Sequence, residues 1–173
     1  MEHKYKILFQ SKNIDYVEVN PNLINDYLIM VNDIEIQRRI SSKSRIFTYE
    51  EEENWINNKL ENKDIIFSMI ERNTNEFIGN IELMHVTEKD AELGICITSK
   101  KQGKHYGLEA IKKLIEYSFD VLGLEEINLV VFSTNQRAIK CYKKLGFKEY
   151  KIEKNVENID NIPTNDIYMK LHK

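Results

Sequence analysis

Apolar residues in this chain recur with a period of two along some stretches and of three to four along others, and these periods separate strands from helices. Ile14 to Val19 alternates as a strand does. Asn22 to Val31 repeats at helical spacing, with Leu23, Tyr27, Leu28 and Val31 on one face. Thr48 and Glu51 stand three apart as a capping box and open a predicted helix that carries Trp55, Ile56 and Leu60. Ile65 to Ile70 and Phe77 to Val86 read as strands joined by the turn Arg72-Asn73-Thr74-Asn75. Ala91 to Ile97 is a further strand, and Gly94 in its middle predicts a bulge. Tyr106 to Leu122 predicts a long amphipathic helix ended near Gly123, with Leu108, Ile111, Leu114, Ile115 and Phe119 inward. A strand at Ile127 to Phe132 precedes a helix at Asn135 to Leu145 that Gly146 stops. Phe147 to Ile152 and Asp166 to Leu171 close as strands. The order β-α-α-β-β-β-α-β-α-β-β predicts an α/β fold (α+β in stricter usage), a mixed sheet covered by helices. Residues before 14 receive no element in this reading.

A chain of 173 residues with no repeat or linker is expected to form one domain over 1–173. Its 42% apolar and 31% charged residues are ordinary for a globular protein. A net charge of −3 argues against a nucleic-acid or anionic-membrane binder, which usually carries a basic excess. The start MEHKYKILFQ lacks the apolar core of a secretory leader, and runs such as Leu129-Val130-Val131-Phe132 are far too short to span a bilayer. Cys96 and Cys141 sit in apolar patterns without metal-ligand spacing. They read as reduced core thiols of a cytoplasmic protein, with no metal site, and a disulfide is the alternative. The richness in Asn, Lys and Ile fits an AT-rich bacterial genome.

Two segments carry the candidate chemistry. The loop Gln102-Gly103-Lys104-His105-Tyr106-Gly107 lies between a strand and the long helix. Such a loop offers backbone N–H groups and a helix N-terminus to a phosphate, with Lys104 as an added cation. The competing reading is a plain turn that needs its glycines. The second segment is NQRAIKCYKKLGF, Asn135 to Phe147. Asn135 and Tyr142, seven residues apart, fall on one helical face with Ala138 and Ile139 between them. Asn135 can cap the helix and still reach a ligand amide. The competing reading of Tyr142 is a core aromatic. Cys141 is expected on a different face.

Together these segments resemble the two signature motifs of the GNAT superfamily of acyl-CoA-dependent N-acetyltransferases. Trp55, Phe77-Ile78-Gly79-Asn80-Ile81 and Glu92-Leu93-Gly94-Ile95 are similar to the branch with ribosomal-protein N-terminal and spermidine acetyltransferases. The resemblance implies a mostly antiparallel central sheet. It implies acetyl-CoA as co-substrate, its arm along Ile95, Cys96 and Ile97 and its phosphates on the 102–107 loop. Asn135, Ala138 and Lys144 join the cofactor side, and Tyr142 is the acid that protonates the departing thiolate. His105 stands where a glycine is usual.

The other partner implied is a primary amine: an N-terminal peptide amine, a polyamine or another small amine. Glu92, and after it Glu82, are the carboxylates expected to assist its deprotonation, with His85 and His105 as weaker candidates. The run Glu50 to Glu53 reads either as a lure for a cationic substrate or as a solvated first helical turn. A C-terminal edge strand is expected to be able to pair in a homodimer. A non-catalytic acyl-CoA-binding domain on the same fold is the alternative function.

Overall fold

A computed structural model describes residues 5–173, so the first four residues of the stretch read for a leader lie outside it. One sheet of eight strands organises the chain. The strands are β1 (Ile7–Gln10), β2 (Ile14–Val17), β3 (Ile65–Glu71), β4 (Phe77–Met84), β5 (Asp90–Ile97), β6 (Glu126–Phe132), β7 (Lys148–Glu157) and β8 (Pro163–His172). They lie in the order β1-β2-β3-β4-β5-β6-β8-β7. Only β5 and β6 run parallel; every other pair is antiparallel.

Five helices cover the sheet: α1 (Ile24–Val31), α2 (Ile34–Ile40), α3 (Tyr49–Glu61), α4 (Tyr106–Glu116) and α5 (Gln136–Lys144). Alternation along β3 sorts the two faces. Phe67 and Met69 join the cluster that includes α4 and α5, while Ile70 joins the cluster of α1, α2 and α3. The capping box is present as read, with the Thr48 hydroxyl and Glu51 carboxylate exchanging bonds with each other's backbone. Helix α4 ends earlier than its periodicity suggests. Ser118 turns its hydroxyl back onto the Leu114 carbonyl at 2.7 Å, and Tyr117–Val121 loosens into a π turn.

Two elements were not predicted. Tyr5, just before strand β1, alternates with Ile7 and Phe9 of the strand, but a register shift between Ile7 and Phe9 turns these apolar residues toward different clusters. It is held at a distance by Glu109 of α4, whose carboxylate accepts from Ser11 Oγ at 2.6 Å, Asn13 N at 2.7 Å and Asn13 Nδ2 at 2.8 Å. Helix α2 was hidden because Ile34-Glu35-Ile36-Gln37 mimics strand alternation.

The bulge expected at Gly94 lies one strand over. The β4–β5 register runs unbroken from Gly79↔Ile97 to Met84↔Glu92. Instead the β3–β4 register slips between Met69 and Ile70, at Ile78 and Gly79. Gly79 has φ 156°, and a Cβ there would stand 2.0 Å from the Cys96 carbonyl oxygen, so this approach admits only glycine.

Candidate functional site

Strand β5 leaves its parallel neighbour early. The β5–β6 ladder holds Asp90, Ala91 and Glu92 against Glu126, Ile127 and Asn128 and then stops, although β5 continues to Ile97. Divergence of the two strands therefore leaves a free backbone edge along the end of β5. A cavity of about 430 Å³ opens beside it, between α2, α4 and α5.

Most of the expected residues line this cavity. Ile95, Cys96 and Ile97 form its β5 wall, Gln102, Gly103, His105, Tyr106 and Gly107 its loop, and Asn135, Ala138 and Tyr142 its α5 wall. Lys104 and Lys144 are exposed and do not line it. Cys141 does line it, contrary to the expectation of a different face, because the cavity wraps past the edge of α5.

The loop has the form an anion site needs. His105 takes the left-handed conformation, φ 67° and ψ 5°, which the usual glycine would adopt without strain. It leads into α4 with no side chain capping the helix, so the first-turn N–H groups keep their positive end open. Two guanidiniums converge there. Arg39 of α2 and Arg137 of α5 both donate to Gln102 Oε1, and neither pairs with a carboxylate among the described residues. The Gln102 amide is anchored in turn, donating to the Ile97 carbonyl at 2.8 Å. Neither arginine was singled out from the sequence. Arg137 lay in full view inside the second motif, whereas Arg39 sits on the unpredicted α2.

The loop is also fastened from behind. Lys101, 7% exposed, reaches Glu71 at 2.6 Å and also Glu76, and the Tyr106 hydroxyl donates to Glu71. These donors and Thr74 hold the Glu71 carboxyl down at about 2.

At the α5 wall, Asn135 Oδ1 accepts from Ala138 N at 3.3 Å and caps the helix, which leaves its NH₂ group for the cavity. Tyr142 is 7% exposed and packs its ring edge-on to Phe147. Among the described residues its hydroxyl has no protein partner and no buried side-chain polar atom lacks one, so this hydroxyl opens into the cavity. Burial pushes the phenol pKa up, with the neighbouring Cys141 adding to it, so the proton stays on oxygen at any working pH.

The two expected carboxylates lie away from the cavity lining and differ from each other. Glu92 pairs with exposed His85 at 3.1 Å, level with Met84 at the strand's far end. Glu82 stands opposite Gly94, nearer the cavity wall. A Cβ at Gly94 would lie 3.2 Å from Glu82 Cγ, so the missing side chain leaves a groove into which Glu82 leans. Lys59 holds that carboxylate at 3.0 Å.

Residues 18–148 match the family model described as "Acetyltransferase (GNAT) domain". A spermidine N(1)-acetyltransferase of Escherichia coli is 40% identical over 67 residues, 39% of this chain and 36% of that protein. The chain thus spans about a third of the length of that relative. A crystal structure of spermidine N-acetyltransferase from Vibrio cholerae in complex with CoA and spermine superposes with a TM-score of 0.85 at 21% identity, covering 94% of this chain and 96% of that one. A GNAT-family acetyltransferase from Bacillus anthracis gives 0.82 at 18% identity over the same shares.

Proposed function

This chain belongs to the GNAT acetyltransferase domain family, and from that premise we propose that it moves the acetyl group of acetyl-CoA directly to a primary amine in a ternary complex. The observation that carries this reading is Tyr142, whose unpartnered, neutral hydroxyl opens into a cavity that ends at an uncapped helix and two uncompensated arginines. Acetyl-CoA supplies an activated thioester; the residues present fit it. Arg39, Arg137 and the α4 N-terminus suit phosphates, and the free edge of β5 with the Asn135 amide suits a pantetheine arm.

In this reading Tyr142 gives its hydroxyl proton to the sulfur that leaves as the new C–N bond forms. Glu82 takes the proton that the amine gives up, directly or through water. Both carboxylates have a basic partner, Lys59 for Glu82 and His85 for Glu92, and we place Glu82 ahead because it stands opposite Gly94, nearer the cavity wall. A pure acyl-CoA binder has no use for an aligned, unpartnered phenol. The free edge of β7 remains available to a second copy of the chain, which sedimentation would reveal.

The test is thermal melting with and without acetyl-CoA, followed by CoA release with a panel of amines. Acetyl-CoA at 100 times its Kd should stabilise by about 2.7 kcal/mol. Absence of binding would refute the reading. Binding without turnover of any amine would favour the non-catalytic alternative.

A further inference from the structure

The layer between the sheet and α1 contains a chain of buried hydrogen bonds. Asn20 N donates to the Tyr27 hydroxyl at 3.0 Å, Tyr27 meets Ser68 Oγ at 2.6 Å, and Ser68 donates to Asn80 Oδ1 at 3.0 Å. Tyr27 and Ser68 are fully buried and Asn80 is 8% exposed. The backbone N–H at the head of the chain can only donate. Tyr27 must then pass its proton to Ser68, and Ser68 its proton to Asn80, if no hydroxyl proton is to be wasted. One amide orientation survives: Oδ1 toward Ser68, and both N–H donors turned away.

Among the described residues those donors have no protein partner and no buried side-chain polar atom is unsatisfied, so they reach solvent-accessible space. Asn80 pairs across the sheet with Cys96, which lines the cavity, and shares its strand face with Glu82, which leans over Gly94.

We propose that Asn80 is a specificity residue for the acceptor, its locked amide donating to an oxygen carried on the carbon next to the amine-bearing carbon. This rests on the acetyl-transfer reading. Asn80 and Glu82, two residues apart on one strand, are about 7 Å apart. Two angled hydrogen bonds of about 3 Å each span that gap around an amine and a neighbouring oxygen. An α-amino carbonyl, as at a peptide N-terminus, and a 1,2-amino alcohol share this arrangement. A plain alkylamine or diamine offers no acceptor and leaves the Asn80 donors unpaired, which such a site rejects strongly.

The experiment compares kcat/KM for alaninamide and ethanolamine with that for propylamine and 1,3-diaminopropane. The wild type should favour the oxygen-bearing pair by about tenfold or more, and the better of the two identifies carbonyl or hydroxyl as the preferred source. Asn80→Leu should reduce the preference to within about threefold while acetyl-CoA affinity and CoA-induced stabilisation are kept. Ser68→Ala, which releases the amide to flip, should lower it in the same direction and serves where the Leu variant folds poorly. A wild-type preference for the diamine, or an unchanged ratio in both variants, overturns the assignment. Loss of acetyl-CoA binding in the wild type would instead refute the acetyltransferase reading itself.

Discussion

Replacing Tyr142 by Phe removes one oxygen and nothing else that packs. The ring is 7% exposed, and its contact with Phe147 is made by carbon. Because the hydroxyl has no partner among the described residues, its removal orphans no buried donor there, and the usual penalty of about 1–3 kcal/mol for an unsatisfied group does not arise. Stability should therefore change by less than about 0.5 kcal/mol, and acetyl-CoA affinity by less than about twofold. Turnover should behave otherwise. A general acid contributes ~10²- to 10⁴-fold, equivalent to about 2.7–5.4 kcal/mol of barrier. Some of that is recovered if water enters the vacated position, so kcat should fall at least about tenfold with binding preserved, the pattern of an interaction made in the transition state. The assay is steady-state CoA release beside calorimetric CoA binding and a melt, on one purified variant. A kcat within about twofold of wild type, with chemistry shown to be rate-limiting, would refute the role. A fall of several degrees in Tm with normal kcat would make Tyr142 a core aromatic only.

Three further outcomes are expected. His105→Gly should stabilise the fold by up to about 1 kcal/mol in a denaturant titration, since glycine relieves the left-handed strain at φ 67°; it should weaken acetyl-CoA binding less than Gly107→Val, whose Cβ would already stand 3.3 Å from Ile97 Cδ1. Glu71 holds its proton more weakly in the native state, with a carboxyl near 2. The stability it contributes is thus complete above the unfolded value of about 4.3 and is lost as pH falls toward 2, and Glu71→Gln should flatten that acid limb in melts across pH. Glu52 is the opposite case: burial, with the Glu51 charge adding, raises its carboxyl, so native stability declines as pH rises from about 4.3 through the raised value. Glu52→Gln should raise Tm at pH 7 and lose that advantage below about pH 4; an equal gain at both pH values would refute burial of the charge as its source.

The sequence disclosed elements wherever a single face was buried for the element's whole length. Helix α3 announced itself by its capping box, and α4 and α5 by sustained periodicity. Where an element changed its allegiance the pattern failed, as in β1, whose register shift sends Ile7 and Phe9 to different clusters. Helix α2 is too short to show its period. Of the site, the residues contributed by contiguous motifs were legible. Arg39 was not, because it reaches Gln102 from 63 residues away on that short helix. The four glutamates at the start of α3 were read as one run, whereas the helix buries only Glu52. Lys104, read for its charge, and Lys144, placed by the resemblance, both stay exposed outside the wall, because a charge attracts from solvent without bringing a side chain in.

The fastening of the 102–107 loop by Lys101 and Tyr106 to Glu71 bears on how this protein opens. A surface loop with glycines ordinarily exchanges its amide hydrogens through small local excursions. Here residues 99–107 cannot lift away while Glu71 stays in β3, because a buried ammonium and a phenol would each lose the same carboxylate. The loop and the β3–β4 hairpin therefore form one cooperative unit, and deuterium should enter both together, at a free energy well above that of a fraying loop. On the opposite wall the contacts are lighter: Arg39 of α2 donates to Gln102, and Ser99 donates to the Asp33 carboxylate that caps α2.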